Sequence, residues 1–260
     1  MIKIRKVFSN IYLILIFIFL YAPIFALALF SFNDSKSMAK WEGFTFKWYQ
    51  ELFHNDRIIS ALITTLVVAI ISSLIATIIG TISAIGISKM RGRKKALLLN
   101  INYLPVLNPD IVTGIGLMIL FIFFKMKLGL LTMLLAHITF NIPYVVLSVL
   151  PKLKQLPANI EEAAMDLGAK PMYTLRNVIL PQIKPGIISG FLIAFTMSID
   201  DFIISFFTTG NGVTNLSIEV YSMAKRGIKP EINALTTLMF VTVLVLLLLS
   251  NKKQSMVRGE

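Results

Sequence analysis

A chain of 260 residues that is 56% hydrophobic and only 15% charged is not an ordinary soluble domain, in which about a quarter of the residues carry charge. Its net charge of +12 would suit a nucleic-acid binder, but in so apolar a sequence it reads as basic loops between membrane spans, and no nucleic-acid partner is expected. There is no cysteine, which excludes disulfides, thiolate metal sites and cysteine nucleophiles, and the two histidines, His54 and His137, are too few for a histidine-built metal site; no cofactor is expected.

The N-terminal MIKIRK and the apolar run after it imitate a signal peptide. The uncharged stretch from Val7 to Asn33 is longer than the 7–15 residues or so of a signal core, so the segment reads as an uncleaved first span. Breaks in the apolar runs predict an all-α, polytopic membrane protein with six transmembrane helices, near 8–32, 58–88, 103–124, 129–151, 187–207 and 232–250. The second has 31 uncharged residues against the roughly 20 needed to cross, so it is tilted or projects beyond the bilayer. Pro105, Pro109 and Asp110 interrupt the third, which predicts a broken or late-starting helix. The chain divides at sequence level into a first helix with its outer loop (1–57), a five-helix core (58–250) and a tail (251–260). Sixteen Lys and Arg flank the spans on one side and nine on the other, with KMRGRKK at 89–95 the densest cluster, so both termini are expected in the cytoplasm.

The longest inward loop, 152–186, predicts a short helix over Ile160 to Leu167, capped by Asn159, with Glu161 and Glu162 in its first turn and a stop at Gly168. Ile160, Ala163, Ala164 and Leu167 share one face at i, i+3, i+4 and i+7, and the small residues admit a close partner. The order Glu162-Ala163-Ala164, three residues, Gly168, nine residues, Val178-Ile179-Leu180-Pro181 resembles the EAA loop of ABC-importer permeases, with Val178 where that family has isoleucine. The resemblance implies a type I ABC-importer permease fold, with Glu162, Ala163, Ala164, Gly168, Leu180 and Pro181 coupling it to an ATP-hydrolysing subunit. The chain has no G-x4-G-K-[ST] phosphate loop, so ATP hydrolysis falls to a partner and the chain itself is not expected to be an enzyme.

Further stretches resemble the permease subunits of spermidine/putrescine importers: FKWY at 46–49, NPDIV at 108–112, HITFNIPYVV at 137–146, SIDD at 198–201 and VYSMAKRGIKPEINAL at 220–235. That resemblance implies a multi-pass protein of the bacterial inner membrane. Its expected partners are a second, related permease, an ATP-binding subunit dimer, an external substrate-binding protein, membrane lipid and a polyamine.

Three acids fall inside predicted spans: Asp110, Asp200 and Asp201. From Ile187 to Phe207, twelve Ile, Leu or Phe residues favour insertion by roughly 0.3–0.6 kcal/mol each, and each aspartate opposes it by roughly 2.5–3.5 kcal/mol, so the terms nearly cancel. Acids held at that cost usually face a bundle interior or a water-filled path. On a continuous helix Ser198, Asp201, Ser205 and Thr208 would form one polar stripe, as a cation path requires. The expected substrate path is therefore Asp110, Ser198, Asp200 and Asp201, with Trp48 and Tyr221 nearer the outer mouth and Phe195, Phe202 and Tyr144 as apolar or aromatic walls. His137 reads as a structural hydrogen bonder. A permease for a metal cation is the alternative; anions fit poorly with carboxylates and no intramembrane Lys or Arg. An intramembrane aspartyl protease built on Asp110 with Asp200 or Asp201 would leave the EAA loop without purpose, and a passive channel would need no docking helix.

Overall fold

The computed structural model describes residues 2–36, 39–157, 159–226, 230–241 and 244, and those residues are almost entirely helical. The chain falls into two compact units, 60–219 and a unit made of 1–59 with 220–260. Helix α1 (Ile2–Phe30) leads to α2 (Lys47–His54), α3 (Asp56–Lys89), α4 (Gly92–Leu107), α5 (Asp110–Phe123), α6 (Leu130–Lys154) and the short α7 (Ile160–Asp166). One turn, α8 (Pro171–Thr174), runs through a wide turn at Leu175–Ile179 into α9 (Leu180–Asp200); α10 (Ile203–Thr208) and α11 (Leu216–Arg226) follow.

Four of these segments are long and apolar enough to cross a membrane: Asn10–Phe30, Asp56–Lys89, Leu130–Lys154 and Pro171–Asp200. The pair α4 and α5 makes a fifth if counted as one span bent by 107°. The bend sits where the sequence places it. Pro109 keeps Asn108 out of the helical region, at ψ 143°, and α5 restarts at Asp110. The predicted third span differs in its start, because α4 is already helical from Gly92. Residues 242–243 and 245–250 of the predicted sixth span, and the tail, lie outside the described residues.

Within 60–219 the core is built on α6, the most buried of the spans. Val145, Val146, Val149 and Leu150 of α6 meet Ala84 and Ile87 of α3 and Ile183 and Ala194 of α9. Glycines let the backbones approach, as is usual between membrane helices. A Cβ on Gly80 would lie 2.7 Å from Val145 Cβ, and one on Gly190 3.2 Å from Val145 Cα. Gly80→Ala is expected to force α3 off α6 and destabilise the fold by about 1–3 kcal/mol, read as a lower melting temperature of the detergent-solubilised protein.

The fifth span differs from expectation at both ends. It starts at Pro171, not near 187, so the second half of the inward loop continues the membrane helix. The Leu180 N–H reaches back to the Leu175 carbonyl, a five-residue step that widens the turn just ahead of Pro181, whose ring would crowd the carbonyl four residues earlier. At the other end the helix stops at Asp200, Asp201 is extended at ψ 123°, and α10 begins two residues later.

In the unit formed by 1–59 and 220–260, Trp48 is buried and its Nε1 donates to the Asn33 carbonyl at 2.6 Å. Ser31 Oγ and the Tyr49 hydroxyl lie 2.7 Å apart, and Phe32, Phe44, Phe46 and Tyr49 form an aromatic cluster. Asn55 Nδ2 donates to Glu231 at 3.4 Å.

Candidate functional site

The break after Asp200 sends the two adjacent acids to opposite sides. The Asp201 side chain is only 8% exposed. Its Oδ1 accepts the Ile204 N–H at 3.1 Å and its Oδ2 the Ser205 N–H at 2.7 Å, so it satisfies the opening turn of α10. The His137 ring, itself buried, places Nε2 3.4 Å from Asp201 Oδ2 and 2.9 Å from Ser205 Oγ, and Nδ1 3.1 Å from Ser198 Oγ. Ser198 Oγ also accepts from Asn141 Nδ2 at 2.8 Å and lies 3.1 Å from Ser72 Oγ. Asn215 Nδ2 donates to the Asp201 carbonyl at 3.1 Å and to Ser205 Oγ at 2.8 Å.

Ser198, Ser205 and Thr208 are all buried against α6, so with Asp201 they form an internal network and not a stripe open to water within this chain. The sequence stripe assumed one continuous helix. The structure has two, and the break turns the polar residues onto His137 and Asn141.

Asp200 is exposed at the C-terminal end of α9. Asp110, also exposed, opens α5 after the bend, close enough for its charge to act on Asp200 and on the half-buried Tyr144 of α6. α10 packs along α5, with Gly114 facing Phe207 and Ile204, which brings the two helix breaks together. The dipoles make this an uneven pair. Asp110 sits at the positive end of α5, which stabilises its carboxylate, whereas Asp200 adds its charge to the negative end of α9. Phe202 and Phe206, with ring centroids 5.4 Å apart, stand beside the break, and Phe191 and Phe195 stack at 6.0 Å along α9. The two breaks thus carry acids and aromatic side chains, and no Lys or Arg occurs from Ile187 to Thr208. Trp48 and Tyr221 belong to the other unit: the Trp48 ring is capped by Lys47 Nζ at 5.1 Å, and Tyr221 is exposed.

At the far end of α9 the loop folds into a second surface. α7 covers Ile160–Asp166 with Glu161 and Glu162 in its first turn, although Asn159 makes no side-chain cap. Gly168 adopts φ +85°, its N–H bonding the Met165 carbonyl and the Ala169 N–H the Ala164 carbonyl, a left-handed stop that favours glycine. Ile160 and Leu180 pack onto the core, and Glu161 pairs with Lys89 Nζ at 2.8 Å. Large apolar side chains stand outward among exposed charges: Leu167 is 90% exposed, Met172 72% and Tyr173 61%. Leu167 and Tyr173 border a cleft of about 510 Å³ lined also by Ala164, Gly168, Lys170 and Val178. Glu162, Ala163 and Pro181 are exposed and Ala164 is half-buried. Sequence reasoning singled out Leu167 on the apolar face but missed Met172, Tyr173 and the pairing of Lys89 with Glu161. It also missed Asn141 and Asn215; a polar amide within an apolar stretch was the available signal.

Residues 76–252 match the family model of the binding-protein-dependent transport system inner membrane component. The chain is 37% identical over 246 residues to the spermidine/putrescine transport system permease protein PotC of Haemophilus influenzae, covering 95% of this chain and 96% of that one. It is 40% identical over 250 residues to the putrescine transport system permease protein PotI of Escherichia coli K12, covering 92% and 88%. In fold it is similar to a chain of a bacterial ABC transporter that imports the acidic polysaccharide alginate, with TM-score 0.74, 18% identity and coverage of 96% and 95%. A second structure of an alginate transporter, in complex with its pentasaccharide-bound periplasmic protein, superposes with TM-score 0.72 at 17% identity over 96% and 93%.

Proposed function

The chain belongs to the binding-protein-dependent transport system inner membrane components, and from that membership we propose that it is the permease subunit of an ATP-driven polyamine importer, forming half of the path for spermidine or putrescine. The observation that carries the substrate is the pair of exposed carboxylates, Asp110 at the start of α5 and Asp200 at the end of α9, at two helix ends that the packing of α10 on α5 brings near each other. A polyamine is a flexible chain of ammonium groups separated by methylenes. Its charges suit the two acids and the carbonyls freed at the end of α9, because the negative ends of half-helices are the usual cation ligands in transporters. Its methylenes and ammonium faces suit Phe202, Phe206 and Tyr144, each cation–aromatic contact contributing about 0.5–2 kcal/mol. Asp201 and Ser198 support this path from behind by fixing the break.

The surface around Leu167 docks onto the ATP-hydrolysing partner, with Glu162, Ala163, Ala164 and Gly168 forming its helix and turn. Closure of an ATP-binding dimer moves α7 and switches the path from outward to inward. A second permease completes the cavity and an external binding protein delivers the polyamine. The lysine and arginine count supports cytoplasmic termini. The test is uptake of labelled spermidine and putrescine by the complete transporter in cells lacking other polyamine uptake. ATP-dependent uptake of at least one is expected; an assembled transporter that takes up neither overturns the polyamine assignment and leaves the family standing.

A further inference from the structure

A cleft of about 270 Å³ lies between the inner ends of α3 and α6, on the flank of the docking loop, with Ile160 and Glu161 of α7 in its wall. Four cations converge on it from separate places in the chain: Lys89 at the end of α3, Arg91 in the turn, Lys95 in the first turn of α4 and Lys154 at the end of α6. Glu161 is the one acid in its lining, and it already holds Lys89 at 2.8 Å. Lys95 Nζ reaches the Ser88 carbonyl at 3.3 Å, while Arg91 and Lys154 have no hydrogen-bond or ion-pair partner among the described residues. The floor is apolar, with Leu153 and the buried Ile179.

The start of α4 adds an independent observation. This 16-residue helix opens with Arg91 at its N-cap, no side-chain cap and no acid in its first turn, where Arg93, Lys94 and Lys95 stand instead. Cations at the positive end of a helix are unfavourable, and free N–H groups there attract anions. Both features are resolved by one occupant. A topological signal needs basic residues near the membrane, but it does not need them to converge from three helices on one concave site.

We propose that this cleft binds a phosphate-bearing anion, either the headgroup of an anionic phospholipid or free phosphate, tying the inner ends of α3, α4 and α6 together beside α7. Basic pockets between membrane helices at the cytoplasmic surface have this chemistry, and the apolar floor suits the glycerol end of a lipid. The inference does not depend on the cargo.

The test uses the complete transporter purified with its partner subunits, comparing wild type, Arg91→Gln/Lys154→Gln and the control Lys125→Gln/Lys127→Gln. All four positions are exposed, so the variants retain the fold. Binding of phosphatidylglycerol, phosphatidylcholine and inorganic phosphate is measured by native mass spectrometry and calorimetry. Wild type and control are expected to prefer phosphatidylglycerol to phosphatidylcholine, with the Arg91/Lys154 variant losing about thirtyfold in affinity, at roughly fivefold per basic residue. Saturable inorganic phosphate binding lost in the same variant, without a lipid preference, supports the site with a soluble source. Equal binding by all three proteins overturns it. So does a variant that keeps its anion binding but sheds the ATP-hydrolysing subunit, which assigns the cations to a protein partner.

Discussion

Asp200→Asn is expected to lower polyamine uptake by about ten- to a hundredfold in a transporter that still assembles, while Asp201→Ala is expected to remove folded protein. The contrast follows from where the break puts each carboxylate. Asp200 is exposed at the end of α9 and bonds to no other described side chain, so neutralising it takes one charge from the path and little from the fold. A charge-assisted hydrogen bond to an ammonium contributes about 1.5–3 kcal/mol, which sets the expected range. Asp201 accepts two backbone N–H groups and faces His137, and truncation leaves both donors without a partner in a buried setting, at about 1–3 kcal/mol each. Uptake normalised to the assembled complex, alongside thermal melting of each variant, separates the two effects. Normal uptake in an assembled Asp200→Asn transporter would remove that residue from the path.

Leu167→Asp should leave the permease folded and strip it of its ATP-hydrolysing partner. Its side chain is 90% exposed, so nothing inside this chain rests on it. Burying a leucine contributes about 1.5–3 kcal/mol, and a carboxylate there must also be desolvated at the interface. A loss of partner affinity of at least about tenfold is expected in a pull-down of the ATP-hydrolysing subunit, with ATP-driven uptake falling in step. Unchanged co-purification would show that docking uses another surface.

The sequence revealed most where a local rule governs the backbone. Asn108-Pro109 broke the third span because proline constrains the residue before it, and Gly168 ended the docking helix through a left-handed turn. The break at Asp201 has no such marker. The run FTMSIDDFIISFF contains neither proline nor glycine, and the helix stops there because His137, Asn141 and Asn215, distant in sequence, meet the polar groups on either side. The adjacent acids signalled that something was unusual, but not which of them faced outward. The exposed Met172 and Tyr173 escaped notice for a similar reason: short apolar residues in a loop look alike until packing shows which ones have no neighbour.

A break between two consecutive helices resembles a hinge, yet this one is riveted. One imidazole holds Ser198 on the near side of the break and Ser205 on the far side, while Asn215 ties down the carbonyl between them. Bending here would sever several buried bonds at once, with no water to replace them. A change of access in this permease is therefore expected to carry α9 and α10 together, with the motion elsewhere than at this break. The break is a fixed elbow that leaves Asp200 exposed at the end of α9.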